Sequence, residues 1–195
     1  SKSIFMSSFD FQEIPNIFYS YQTQKPFSNC LVCSCYLLED QTYIIEKALK
    51  KHPGFTAQDV IFDYAICLSC ALKMRQEFSK ESLEKINAYF AEHVDMNPLP
   101  PQDAPIDLDE ALSQCVVKKI PLDEIANYQI YAHCQGNKLI KSIPPYLISQ
   151  SAIEDLIPLI SSDTQDILNG FYDRFLRPDP AMLLPKQPSD QLVFI

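Results

Sequence analysis

In the first half of the chain, an apolar run typical of a strand precedes Cys67, and residues typical of a helix follow it. Residues 60–66 form a β-rich apolar run that ends at Cys67, and good helix formers follow over residues 68–78. Ser79 is a natural helix cap, and apolar side chains then recur at helical spacing to about residue 93. The pattern therefore predicts a strand and two successive helices.

The remaining pattern predicts further short elements on both sides of a proline-rich stretch. Before the stretch we predict a hairpin over residues 36–45 with its turn at 39–41, and a short helix over 46–51. After it we predict a helix over 107–114, a strand over 128–134, a turn at 135–137 and a strand over 138–141. A helix from a capping box at Ser151 to about 161, a helix over 164–176 and a terminal strand over 192–195 complete the prediction.

The proline-rich stretch is the clearest boundary in the chain. Four prolines fall in the nine residues 97–105, and such a segment favours an extended connector. We expect a cysteine-bearing part over residues 1–97, a connector over 98–105 and an acidic α+β part over 106–195. Whether the two parts pack into one body stays open, and we find no internal repeat. The predicted fold class is α+β.

Composition restricts the possible partners and surroundings. The chain has 195 residues, 47% of them hydrophobic, and a formal net charge of -9, which is typical of a soluble folded protein. An acidic chain without clustered Lys and Arg is a poor ligand for nucleic acid or for an anionic membrane. The first residues contain no secretory signal pattern, and seven cysteines cannot all pair, so we expect a cytoplasmic protein.

Two CxxC pairs carry the strongest chemical signal. Cys30 and Cys33 form one pair, and Cys67 and Cys70 form the other. Two thiols at this spacing reach one ion from one turn, and four thiolates complete a tetrahedral structural Zn²⁺ site with no open position for catalysis. The alternatives are buried apolar cysteines, a thioredoxin-like redox pair, or iron in place of zinc.

The order of turn, hairpin and helix around these pairs resembles the treble-clef or zinc-ribbon class of zinc modules. The resemblance covers residues 30–78 and implies a zinc-stabilised module followed by a mixed helical and β second part. Ser34 stands where many such turns have glycine. The whole chain also resembles conserved bacterial proteins, a resemblance that implies no particular activity.

A third thiol in the first turn adds one open question. Cys35 offers a ligand that could replace a member of either pair, although CxxC geometry favours Cys35 as a packed residue.

The function that these features favour is structural zinc binding in a protein whose task is to bind another protein, with the acidic second part carrying the recognition surface. The alternative is a thiol-dependent enzyme that uses Cys134 or Cys115 as nucleophile and His133 as base. That alternative requires spatial contact, and on a strand His133 and Cys134 face opposite sides. A nucleic-acid-binding role would need a cationic groove. Oligomeric state is not indicated.

Overall fold

A six-stranded antiparallel sheet forms the centre of the molecule. The computed structural model describes residues 10–95 and 104–177, and its strands are β1 (Phe11–Glu13), β2 (Thr42–Lys51), β3 (Gln58–Cys67), β4 (Asn127–Gln135), β5 (Lys138–Ile140) and β6 (Tyr146–Ser149). The strand order is β1-β5-β4-β2-β3. β6 also pairs with β4, along residues 128–131, whereas β5 pairs with the last two residues of β4.

Five α-helices accompany the sheet, so the predicted mixture of α and β structure is confirmed. They are α1 (Leu68–Gln76), α2 (Lys80–His93), α3 (Leu108–Ala111), α4 (Gln150–Leu156) and α5 (Ser162–Phe171), the last continued by a π-helical turn over Tyr172–Leu176. Within the two described ranges, no helix is long and apolar enough to cross a membrane.

The prediction for residues 36–51 is right only for its turn, since residues 38–40 form a turn. Instead of a hairpin followed by a short helix, residues 42–51 form the single long strand β2. β2 pairs with β3 on one side and β4 on the other, and most of its residues are buried. Residues 45–49 are buried in succession, so β2 lacks the simple alternation by which a strand is recognised, and tertiary pairing overrides the helix propensity of residues 46–51.

Other helix boundaries agree more closely with the sequence. α1 and α2 begin where predicted, and the Ser79 hydroxyl accepts a hydrogen bond from the backbone N–H of Ser82. The N-cap of α4 is Ser149, two residues before the predicted cap Ser151. The helix predicted over residues 107–114 is only Leu108–Ala111. The predicted strand over 192–195 lies outside the described residues.

The sheet contains strands from both sides of the proline-rich segment. β2 and β3 precede that segment, β4 to β6 follow it, and β2 pairs with β4 along nine residue pairs from Thr42↔Gln135 to Lys50↔Asn127. Because the central pair joins them, the two parts of the chain share one sheet. Residues 96–103 lie outside the described part of the chain, and the boundaries 97 and 98–105 stay predictions.

The two parts repeat one architecture about a pseudo-two-fold axis, so our expectation of no internal repeat is wrong. Copy 1 runs from the turn at 29–36 through β2, β3, α1 and α2, and copy 2 from the turn at 114–121 through β4, β6, α4 and α5. Tyr43 pairs with Cys67 in copy 1, and Tyr128 pairs with Ser149 in copy 2. The axis passes through the pair Glu46↔Tyr131, since these residues occupy the same position in β2 and β4.

Hydrogen bonds at the two ends of the β2–β4 pair obey the same symmetry. The Lys51 N–H donates to the carbonyl oxygen of Ala126 at 2.8 Å, and the Gly136 N–H donates to that of Gln41 at 2.9 Å. Lys51 and Gly136 occupy equivalent positions in the two copies, and so do Gln41 and Ala126, so the two bonds are related by the pseudo-two-fold axis. The central pair therefore resembles the strand pairing across a symmetric dimer interface, built here within one chain.

The first turns of α2 and α5 also meet across the axis. The Ser79 N–H donates to Thr164 Oγ1 at 3.1 Å, and the Ser161 N–H donates to Ser82 Oγ at 2.8 Å. Ser79 and Ser161 are the equivalent N-caps of the two helices, and each helix supplies the hydroxyl acceptor for the other. This reciprocal exchange satisfies backbone donors that a helix start otherwise leaves unpaired.

Substitution of this contact tests its contribution. Ser82 and Thr164 are fully buried, so Ser82→Ala leaves the Ser161 N–H without its acceptor. We expect Ser82→Ala to lower the free energy of unfolding by about 1–3 kcal/mol in urea denaturation. Ser162→Ala, on the exposed side of the first turn of α5, is the matched control and should cost less than about 0.5 kcal/mol. Equal losses in both variants would contradict this prediction.

Candidate metal centre

A tight turn over residues 29–36 presents the first group of cysteines. Asn29 and Tyr36 form an isolated antiparallel bridge, and the Cys30 N–H donates to the carbonyl oxygen of Cys35 at 2.9 Å. The Ser34 N–H donates to the carbonyl oxygen of Cys30 at 2.9 Å, which closes the turn. Ser34 adopts φ = 61°, the left-handed conformation for which such turns favour glycine. The turn thus brings three thiols to one place.

The end of β3 supplies the second arm of the site. The Leu31 N–H donates to the carbonyl oxygen of Ala65 at 2.9 Å and fixes the turn to the strand. Two residues later Cys67 is the N-cap of α1, and its N–H donates to Cys30 Sγ at 3.3 Å. Strand, helix start and turn therefore converge on the Cys30 sulfur.

Four sulfur atoms converge closely enough for one ion. Those of Cys30, Cys33, Cys35 and Cys67 all lie within 4.8 Å of one another. Cys33 Sγ and Cys67 Sγ are 3.8 Å apart, and two sulfurs bound tetrahedrally to zinc at about 2.3 Å would be separated by about 3.8 Å. No cysteine of the chain is disulfide-bonded. Soft thiolate donors in this number match a tetrahedral zinc or iron site.

Cys70 lies next to this cluster but not within its tight group. Its thiol interacts with the thiols of Cys67 and Cys33, one helical turn into α1. Three of the four predicted ligands, Cys30, Cys33 and Cys67, therefore lie in one group with Cys35, and their role as ligands stays a prediction. That Cys70 is a ligand stays a prediction.

The thiols of the cluster differ in their ease of ionisation. The backbone N–H of Cys35 hydrogen-bonds the sulfur of Cys33 and, with neighbouring thiols, lowers the pKa of Cys33 to about 6. Burial and the adjacent sulfur atoms raise the pKa of Cys35 to about 12, and burial raises that of Cys70. Packed sulfurs resist ionising together, and a divalent cation removes this repulsion.

The residues of the alternative enzyme hypothesis lie apart from this cluster and have other partners. Cys115 and Cys134 are fully buried. Cys115 Sγ accepts from the hydroxyl and backbone N–H of Ser149, both at 3.3 Å, and the Cys134 thiol contacts Tyr43. His133 lies beside Tyr146, with ring centroids 6.2 Å apart. Among the described residues no hydrogen bond links His133 to either thiol, so the nucleophile–base pair is not formed.

Glu46 is a second unusual group, and the sequence analysis missed it. Its carboxyl group is buried at the pseudo-two-fold axis, where Tyr64 hydrogen-bonds one oxygen and Tyr131 lies 3.3 Å from the other. Burial raises the pKa of Glu46 to about 8, although both tyrosines oppose the shift. Lys47 follows Glu46 directly in the sequence, so nothing in the local pattern distinguishes this carboxyl group from a surface one.

Comparison with models of known protein families, with curated proteins and with solved structures finds no match for this chain.

The buried Glu46 predicts a pH dependence of stability. Because its pKa is about 8 in the folded protein and near 4.5 when exposed, the folded state holds a proton that the unfolded state releases. This contribution to stability is complete below about pH 4.5 and is lost progressively as the pH rises to about 8. Glu46→Gln keeps a neutral side chain of the same shape and removes this loss.

We therefore expect Glu46→Gln to gain stability over the unsubstituted protein by a few kcal/mol more at pH 8.5 than at pH 5.5, measured by urea denaturation. Glu39→Gln alters an exposed carboxylate on a turn and serves as the control. A difference between Glu46→Gln and the unsubstituted protein that is the same at both pH values would be inconsistent with a titrating buried carboxyl group.

Proposed function

We propose that the chain is a zinc-binding protein with a structural tetrathiolate site of the treble-clef type. Cys30, Cys33 and Cys67 supply three ligands, and Cys35 or Cys70 supplies the fourth. The single observation that carries this proposal is the convergence of four sulfur atoms within 4.8 Å of one another. Four thiolates fill a tetrahedral shell, so the ion would stabilise the fold rather than perform chemistry.

The energetic role of the ion follows from where the ligands lie. The turn at 29–36 is joined to the sheet mainly by the Leu31–Ala65 hydrogen bond and by contacts of its cysteines. Structural zinc in small peptides contributes on the order of 10–16 kcal/mol of binding free energy. An ion bound here would join the turn, the end of β3 and the start of α1.

We also propose that the face around the metal centre, rather than the acidic second part that the sequence favours, binds another protein. Val32, Leu68 and Leu72 are exposed by 39%, 39% and 48%, and each lies next to a cluster cysteine or one turn along α1. In copy 2, Gln150 and Glu154 replace the two leucines, both polar. The same helix face is thus apolar only where the cysteine cluster is present, which supports a contact surface specific to copy 1.

A cytoplasmic location is the compartment that we propose. All seven cysteines are free in the structure, although several lie close together, which suits a reducing environment.

A low-charge apolar face next to thiolates is a poor match for nucleic acid, and the net charge of -9 adds to that argument.

Metal content and its dependence on single thiols test the first proposal. We expect about one zinc ion per chain by elemental analysis of protein purified under reducing conditions. Cys67→Ser should lower the content at least tenfold. Cys134→Ala removes a buried thiol of the same sheet outside the cluster and should leave the content unchanged. Protein that is folded yet takes up no zinc, cobalt or iron would overturn the proposal.

The same measurement distinguishes the fourth ligand. If Cys35 completes the shell, Cys35→Ser releases the metal in competition with a chelator at least tenfold more readily than Cys70→Ser does. If Cys70 completes it, the order is reversed. Both variants keep the other thiol next to Cys33, so each is the control for the other.

The second proposal is tested by changing the apolar face without changing the fold. We expect a photo-crosslinker placed at Leu72 to capture a specific partner in cells of the source organism, and Leu68→Glu to abolish that product. Phe55, exposed by 75% at the far end of β3, provides the control position for both changes. Crosslinking that persists in Leu68→Glu, or that is equal at Phe55, would contradict a contact surface at the metal centre. A crosslink between two copies of the chain would identify self-association instead.

A further inference from the structure

The turn at 114–121 in copy 2 reproduces the metal-binding turn of copy 1 bond for bond. The Cys115 N–H donates to the carbonyl oxygen of Ile120 at 2.8 Å, and the Lys119 N–H donates to that of Cys115 at 2.9 Å. These match the Cys30–Cys35 and Ser34–Cys30 bonds, each 2.9 Å long. Gln114 and Pro121 form the same isolated bridge as Asn29 and Tyr36.

The turn is also attached to its strand in the same way. The Val116 N–H donates to the carbonyl oxygen of Leu147 at 2.8 Å, as the Leu31 N–H does to Ala65. Two residues later, Ser149 caps α4, and its N–H lies 3.3 Å from Cys115 Sγ. The matching distance from the Cys67 N–H to Cys30 Sγ is also 3.3 Å. The backbone that positions the ligands in copy 1 is therefore present twice.

We infer that copy 2 retains the backbone of a second tetrathiolate metal site, in which all but one of the ligands have been replaced. Cys115 stands at the position of Cys30. The other four positions hold residues that do not provide a soft anionic ligand: Lys118 for Cys33, Ile120 for Cys35, Ser149 for Cys67 and Ala152 for Cys70. This inference goes beyond the proposed function and relies on it only for the identity of the copy 1 site.

The replacements provide local bonds of the kind that an ion would otherwise supply. Cys115 Sγ accepts from the N–H and hydroxyl of Ser149 and from the Lys118 N–H at 3.4 Å. The Ser149 hydroxyl also accepts from the Ala152 N–H and so caps α4, whereas Cys67 makes no side-chain cap on α1. Exchange of cysteine for serine at this position thus exchanges a metal ligand for a helix cap.

Two other replaced positions hold side chains with partners of their own. Lys118 Nζ forms an ion pair with Asp155 at 2.9 Å. Ile120 packs against the apolar core. In copy 2 the positions equivalent to the copy 1 thiols are therefore stabilised by hydrogen bonds, an ion pair and apolar packing.

One backbone conformation is best explained by a shared origin of the two turns. Lys119 has φ = 58°, close to the 61° of Ser34 at the equivalent position. A lysine in this left-handed region costs roughly 1 kcal/mol. The exposed Lys119 side chain donates from Nζ to the carbonyl oxygen of Val116 at 2.7 Å, inside the same turn. The two turns thus share a backbone conformation that most residues avoid, and copy 2 keeps it without the thiols.

Restoration of the ligands tests the inference. The triple substitution Lys118→Cys, Ile120→Cys and Ser149→Cys, together with Cys115, reproduces the group Cys30, Cys33, Cys35 and Cys67. We expect the variant to bind one more equivalent of Co²⁺ or Zn²⁺ per chain than the unsubstituted protein, measured by titration under anaerobic reducing conditions. Bound Co²⁺ should show the intense absorption of a tetrahedral thiolate site. Adding Cys115→Ser to the triple substitution is the matched control and should weaken this extra site at least tenfold.

The outcomes separate this inference from the proposed function. If the unsubstituted chain binds no metal and the triple variant binds one equivalent, the inference holds and the copy 1 proposal fails. If the unsubstituted chain binds one and the folded triple variant also binds only one, the inference is overturned. Should the triple variant not fold, Lys118→Cys with Ser149→Cys retains Ile120 and supplies three thiols. That variant must then bind Cd²⁺ in excess of the unsubstituted protein, and equal binding overturns the inference.

Discussion

The antiparallel pairing of β2 with β4 is the interaction on which the rest of the structure depends. It joins the two copies along nine residue pairs and lies between strands that are themselves paired on their outer sides. Successive residues of β2 and β4, which point to opposite faces of the sheet, are buried, so both faces of this strand pair are covered. The reciprocal helix caps and the buried Glu46 both lie on or near the axis that this pairing defines. A single central strand pair thus sets the positions of both cysteine-bearing turns.

Local signals were sufficient for the elements next to the cysteines. Residues 60–66 read as a strand, Leu68 as a helix start and Ser79 as a cap, because each carries a pattern that its neighbours alone enforce. β2 was misread since its conformation depends on strands that are distant in sequence, up to Gln135. The sequence likewise favoured Cys35 as a packed residue, whereas its sulfur atom lies in the tight group. The choice between Cys35 and Cys70 depends on how α1 is oriented against the turn, which spacing does not encode.

The repeat could have been found from the sequence by comparing residues 27–51 with 112–136 directly. Seen in register, the two segments share identical residues at Ser28 and Ser113, Cys30 and Cys115, Val32 and Val117, Leu37 and Leu122, Glu39 and Glu124, Tyr43 and Tyr128, and Ile45 and Ile130. The signal was hidden because four of the five thiols that attract attention in copy 1 have no counterpart in copy 2, which keeps only Cys115. The positions that the copies share are mostly ones that the fold requires.

The axis through Glu46 and Tyr131 runs roughly perpendicular to the sheet, so it carries the two turns to opposite ends of the same face. Tyr43 and Tyr128, which mark those ends, are separated along the central strands by about six residues, or roughly 20 Å. A cluster of thiols lies at one end, and the ion pair of Lys118 with Asp155 lies at the other. The two ends of this otherwise symmetric surface therefore differ in their chemistry. An elongated molecule lying along this face would meet thiols at one end and a charged pair at the other, so its two orientations would not be equivalent.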